Sequence, residues 1–122
     1  MNTFEGNRNS FMEALQKNPG TLVFKFGADW CAPCNKIKDI VGTLVDESLN
    51  NRPDGTLVFF EVDVDECIDV YGFLKSKKMI KGIPAIMRYD KGNVSYVPDS
   101  SVSGSDTNDL LTFFRTINNK RH

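Results

Sequence analysis

Apolar positions along the chain alternate between two periods, and that alternation predicts most of its elements. Ser10-Phe11-Met12-Glu13 has the form of a capping box, with Phe11, Ala14 and Leu15 giving one apolar stripe before Asn18-Pro19-Gly20 stops the helix. Residues 21–26 are nearly continuous apolar, the pattern of a strand covered on both faces. A helix from about Cys34 to Leu49 follows, its stripe being Ile37, Ile40, Val41, Leu44 and Val45. The turn-rich Asn50-Asn51-Arg52-Pro53-Asp54-Gly55 leads to a second buried-type strand over 57–62. Strand, helix, strand implies a crossover and a parallel pair. Cys67, Val70, Tyr71 and Leu74 form the stripe of a third helix, which ends in the basic 75–81 segment.

Beyond it, residues 85–89 and 94–97 flank Asp90-Lys91-Gly92-Asn93 and are expected to pair as an antiparallel hairpin, with Pro98-Asp99-Ser100-Ser101 an exposed excursion. The last helix is expected from Ser105 or Asp106, turning Leu110, Leu111, Phe113, Phe114 and Ile117 toward the sheet. The predicted architecture is α/β: a mixed central sheet with parallel strands in the middle, an antiparallel hairpin at one side and helices on both faces. At 122 residues and 40% hydrophobic, the chain suits one domain, residues 1–122, with an ordinary core.

Charge and composition narrow the function. Fifteen basic and sixteen acidic residues, net −1, give no field to recruit nucleic acid or an acidic membrane surface. The opening residues lack the apolar core of a secretory signal and no stretch is long and apolar enough to span a bilayer, so the cytosol is the expected compartment. Three cysteines with one close pair disagree with a secreted disulfide framework. The closing Asn119-Lys120-Arg121-His122 is expected to be a solvated tail.

Candidate chemistry centres on Trp30-Cys31-Ala32-Pro33-Cys34, between the first apolar strand and the helix. That position sets the first thiol where unpaired backbone N–H groups and the positive end of a helix dipole favour its thiolate. The second thiol, three residues on, is close enough to close a small disulfide ring. A closed structural disulfide and a metal clip are the alternatives. Zinc needs about four ligands, and only Cys67 and His122 stand besides the pair, so no metal site is expected. Cys67 fits a small buried hydrophobe better than a regulatory thiol. No phosphate-binding glycine loop and no Ser/His/Asp set supports a nucleotide-dependent or hydrolytic reading.

Cys-x-x-Cys beside a βαβ pattern is a known redox motif, and here the segment Phe24-Lys25-Phe26-Gly27-Ala28-Asp29-Trp30-Cys31-Ala32-Pro33-Cys34 resembles the active-site segment of the thioredoxin family. Ile83-Pro84 resembles that family's cis-proline, 60–67 its third-strand region in animal members, and Ser103-Gly104 its glycine turn before the final helix. The resemblance runs in order over nearly the whole chain from Ser10; before it, the family's first short strand has no convincing counterpart.

The resemblance implies a thioredoxin fold and a thiol-disulfide oxidoreductase that reduces protein disulfides. Cys31 would attack and Cys34 resolve. Trp30, Ala32 and Pro33 would shape the surface around an exposed sulfur. The backbone of Ile83, beside a cis Pro84, would bind substrate, and Gly104 would keep the neighbouring loop low. It further implies no bound cofactor, a separate reductase or small thiol as electron donor, disulfide-containing proteins as substrates, and action as a monomer. An oxidising or isomerising relative, or an interaction module that keeps the dithiol, are the alternatives.

The chain also departs from the family. Six positions ahead of Cys31 most members carry a buried acid, and here Lys25 stands there, while Glu61 interrupts the neighbouring strand. Charged residues inside apolar strands mark functional or strained sites. The two are expected either to meet beneath the dithiol and modulate its ionisation, or to snorkel outward without influence. Asp39 replaces the family's helix-kinking proline, so a straighter helix is expected.

Overall fold

A computed structural model describes residues 1–119; Lys120, Arg121 and His122, the end of the expected tail, lie outside the described residues. The elements run β1 (Asn2–Thr3), α1 (Arg8–Gln16), β2 (Thr21–Gly27), α2 (Ala32–Lys36), α3 (Lys38–Asn51), β3 (Leu57–Asp63), α4 (Ile68–Ser76), β4 (Ala85–Asp90), β5 (Ser100–Ser103) and α5 (Thr107–Asn118). Their sheet order is β1-β3-β2-β4-β5. The mixed sheet expected from the sequence is therefore present. β2 pairs parallel with β3 and antiparallel with β4, and residues 21–26 of this central strand are all buried.

Period-two alternation along β2 and β3 sorts the core onto the two faces of the sheet. Phe24, Phe26 and Val62 join Phe11, Leu15, Val70 and Leu74 from α1 and α4 on one face. Val23, Leu57 and Phe59 join Val41, Leu44, Val45, Leu110, Phe113 and Phe114 from α3 and α5 on the other. Leu111, expected to face the sheet, is instead an exposed hydrophobic, because it lies about 100° around the helix from the stripe of Leu110, Phe113, Phe114 and Ile117.

Four local expectations are corrected. The first strand exists: Asn2 and Thr3 pair parallel with Phe60 and Glu61. Two residues carry no periodicity, and what fixes them is Phe4, buried edge-on against Phe24 and Phe60. α1 begins three residues before the expected box. Asn7 is its N-cap, accepting from the Asn9 and Ser10 N–H groups, while Ser10 Oγ accepts from the Asn7 N–H. The earlier start is locked by Asp69 of α4, which accepts from the Arg8 N–H at 2.7 Å and from its guanidinium at 2.9 Å.

The strand pairing with β4 is 100–103, which begins in the expected excursion and runs up to the glycine turn, and not 94–97. Val94 and Val97 are exposed, and the Asp99 carboxylate accepts the Asp90 N–H at 2.7 Å, delaying the ladder until Ser100 meets Arg88. The active-site helix is broken at Ile37 (φ −97°, ψ 0°) despite the absent proline. Turning there, the chain buries Ile37 in the cluster of Val23 and Val41.

Candidate active site

The cysteine pair stands at the C-terminal end of the central strand, where β2 leaves the sheet at Gly27 and re-enters helix at α2. Cys31 is the N-cap of α2, with extended backbone (φ −86°, ψ 107°), and its sulfur accepts the Cys34 N–H at 3.2 Å. That contact is the orphan-donor arrangement expected of a helix start, with sulfur in the place usually held by oxygen. Cys31 and Cys34 form a disulfide, their Cα atoms 5.2 Å apart. The expectation of an exposed sulfur is corrected: Cys31 and Cys34 are each 5% exposed, Cys31 Sγ lying against the loop that carries Ile83.

That loop's Ile83-Pro84 bond is cis. It places the Ile83 carbonyl oxygen 3.8 Å from Cys31 Sγ. The loop is pinned to β5 by the Gly104 N–H, donated to the Pro84 carbonyl at 2.9 Å. Gly104 sits at φ +87°, a left-handed conformation that costs glycine little and other residues about 1 kcal/mol or more. Trp30, Ala32 and Pro33 are exposed around the pair, and the Trp30 indole N–H donates to Asp65 Oδ2 at 2.7 Å. Asp65 was not anticipated from the sequence. Its signal was its position, just past the C-terminal end of a parallel strand, where ligands of open α/β sheets gather.

Beneath the pair, Lys25 and Glu61 are register partners on β2 and β3. Lys25 points to the α3 side of the sheet, as period two requires of a residue next to Phe24 and Phe26. Its side chain is 8% exposed, so Lys25 does not snorkel outward, whereas the Glu61 side chain, 53% exposed, does reach solvent; the ammonium lies 3.6 Å from Glu61 Oε1. A cavity of about 330 Å³ brings these two together with Cys34, Lys38, Asp63 and Thr3. The residues singled out from the sequence thus converge, except Cys67. That thiol lies at the N-cap of α4 rather than on its stripe. It donates to the Phe4 carbonyl at 3.4 Å, and burial pushes its pKa up. Among the described residues, no group of three or more His, Cys, Asp or Glu could hold a metal ion, and no helix is long and apolar enough to cross a membrane.

A dithiol-disulfide pair at a helix start, facing a cis-proline loop across the end of a mixed sheet, defines a thiol-disulfide oxidoreductase of the thioredoxin fold. The chain belongs to the thioredoxin family, whose model matches residues 2–116. It is 37% identical to thioredoxin of Mus musculus over 86 residues, 70% of this chain and 72% of that one. It is 32% identical to thioredoxin 3 of Plasmodium falciparum over 110 residues, 90% of this chain, and spans 54% of that longer relative. Trichomonas vaginalis thioredoxin superposes with a TM-score of 0.72 over 95% of this chain and 96% of that one; at 19% identity, the likeness is one of fold.

Proposed function

We propose that this chain reduces protein disulfides through a mixed disulfide at Cys31 that Cys34 resolves. The observation that carries the reading is the placement of Cys31 Sγ at the α2 N-terminus, 3.8 Å from the Ile83 carbonyl beside the cis bond. In the reduced protein the Cys34 N–H and the helix dipole favour a Cys31 thiolate. That thiolate attacks one sulfur of a substrate disulfide and expels the other. The backbone of Ile83 holds the substrate chain extended alongside, a local form of strand addition. Trp30, Ala32 and Pro33 offer the apolar surface around the sulfur, Pro84 fixes the loop's direction, and Gly104 adds no side chain to the approach. Cys34 then attacks Cys31 Sγ, restoring the intramolecular disulfide and releasing the substrate's second thiol.

The cycle needs no bound cofactor. Its electrons come from a separate reductase or a small thiol, and its setting is a reducing cytosol in which Cys67 stays a thiol. The chain acts as a monomer, without nucleic acid or membrane. Insulin reduction with a chemical reductant, comparing wild type with Cys31→Ser, tests the reading. Turnover is expected in the first and only the uncatalysed rate in the second. Equal rates would exclude a catalytic dithiol. If the protein's biological activity also survived Cys31→Ser, an interaction module that keeps its cysteines would replace the enzyme.

A further inference from the structure

The cavity below the pair holds more charge than a disulfide exchange in an apolar pocket requires, and the buried member of that charge set is a cation. Cys34 enters it from α2, Lys25 from β2, Glu61 and Asp63 from β3, Asp29 from the β2–α2 turn, Lys38 from the first turn of α3, and Thr3 from β1. Across β2 the register partner of Lys25 on β4 is the apolar Ile86. Close packing joins the strand to the thiol: a Cβ built on Gly27, two residues along the same face from Lys25, would stand 3.5 Å from Cys34 Sγ. The Lys25 side chain is 8% exposed and that of Glu61 53%, so the ammonium is the inner charge and the carboxylate sits toward solvent.

We infer that Lys25 is a positioning residue for the second half of the reaction, in which its buried ammonium stabilises the thiolate of Cys34 so that resolution proceeds by charge and not by a carboxylate base. The inference rests on the oxidoreductase reading and assigns a role within it. In the mixed disulfide Cys31 is bonded to the substrate sulfur and Cys34 is a thiol. The Cys34 S–H proton leaves to water through the open, Glu61 side of the cavity. The thiolate left behind, which lines the same cavity as the ammonium, attacks Cys31 Sγ. A Cys31–Cys34 bond forms and the Cys31–substrate bond breaks. The substrate departs as a thiolate and takes a proton from solvent, two electrons having passed from the dithiol to the substrate disulfide. Glu61 limits the effect as the ammonium's counterion, and Asp63 and Asp29 oppose the thiolate as like charges.

The carboxylate-base alternative and the charge reading predict opposite signs, which makes them separable. The probe is the aromatic disulfide DTNB, reacted with reduced protein in a stopped-flow instrument and followed through the absorbance of released thionitrobenzoate across pH. The first release reports attack by Cys31, the second resolution by Cys34. Lys25→Met is expected to move the pH midpoint of the second phase up by about one unit, the low end of the effect of an opposite charge, and to slow that phase about three- to fourfold at neutral pH, since the thiolate that remains is the stronger nucleophile. Lys25→Arg is expected to restore it. Glu61→Gln removes the counterion and is expected to speed the second phase about two- to threefold. A second phase unchanged in Lys25→Met, or slowed in Glu61→Gln, overturns the inference, the latter in favour of a carboxylate base. Should Lys25→Met fail to fold, the sign of the Glu61→Gln effect still decides. Loss of the first phase in the wild type would instead overturn the oxidoreductase reading.

Discussion

Replacing Lys25 by methionine should make the oxidised protein more stable, although it removes an ion pair. The ammonium is 3.6 Å from Glu61 Oε1, beyond hydrogen-bond reach, and no other salt-bridge partner of Lys25 is found among the described residues. At that separation the attraction is about 4.6 kcal/mol for an effective dielectric of about 20, and about 1.2 kcal/mol for bulk water. With the Glu61 side chain 53% exposed, the value lies toward the lower figure. Against it stands the desolvation of the ammonium, several kcal/mol even after relaxation. A methionine keeps the apolar stem and loses the charge, so Lys25→Met is expected to gain about 1–2 kcal/mol, or about 4–8 °C in melting temperature for a domain of this size. Glu61→Gln should go the other way, since it leaves the buried charge alone. Guanidinium unfolding of both single variants and the double variant at pH 7, all oxidised, measures the three differences and the pair's coupling. A lower midpoint for Lys25→Met, with the slope of its transition unchanged, would refute the argument, because the pair's attraction would then exceed its desolvation. Taken with the DTNB phases, the gain in stability and the loss of resolution rate should occur in the same variant, the signature of a residue kept for function at a cost in folding.

Two further outcomes follow from the same structure. In the reduced protein at neutral pH, iodoacetamide should modify Cys31 first and Cys67 last, since Cys31 Sγ sits at a helix start against the Cys34 N–H while burial pushes the Cys67 thiol up; peptide mapping that found Cys67 labelled ahead of Cys31 would contradict its place under the β1–α1 loop. The hydrogen bond from Arg8 holds the Asp69 carboxyl below its usual range. A depressed carboxylate contributes stability that is fully present above its unfolded value near ~4 and is lost as pH falls through the lower native value, so the urea-midpoint difference between wild type and Asp69→Asn should shrink between about pH 6 and about pH 2. A difference independent of pH would mean that the contact acts without its charge.

What the sequence determined by itself was local. Residues 21–26 and 57–62 are apolar on both faces, Lys25 and Glu61 apart, because helices cover both sides of the central strands, and the stripe of Leu110, Phe113, Phe114 and Ile117 needs only helical geometry to be recognised. The cysteine pair was legible for the same reason: a helix start is a local event, and both thiols belong to it. The tertiary structure decided whatever depended on a partner far along the chain. β1 forms because Phe4 finds Phe24 and Phe60, and Asn7 displaces Ser10 as the cap of a helix that begins where Arg8 can reach Asp69, 61 residues away. β5 waits until Ser100 because the Asp99 carboxylate takes the Asp90 N–H first. Lys25 is the plainest case. Its oddity was visible in the sequence, but whether it snorkelled or stayed in was settled by a register that sets it opposite Glu61 and by helices that close the face of the sheet on which Cys34 also lies. Burial of a charge is a property of everything packed around it, and no local pattern contains that.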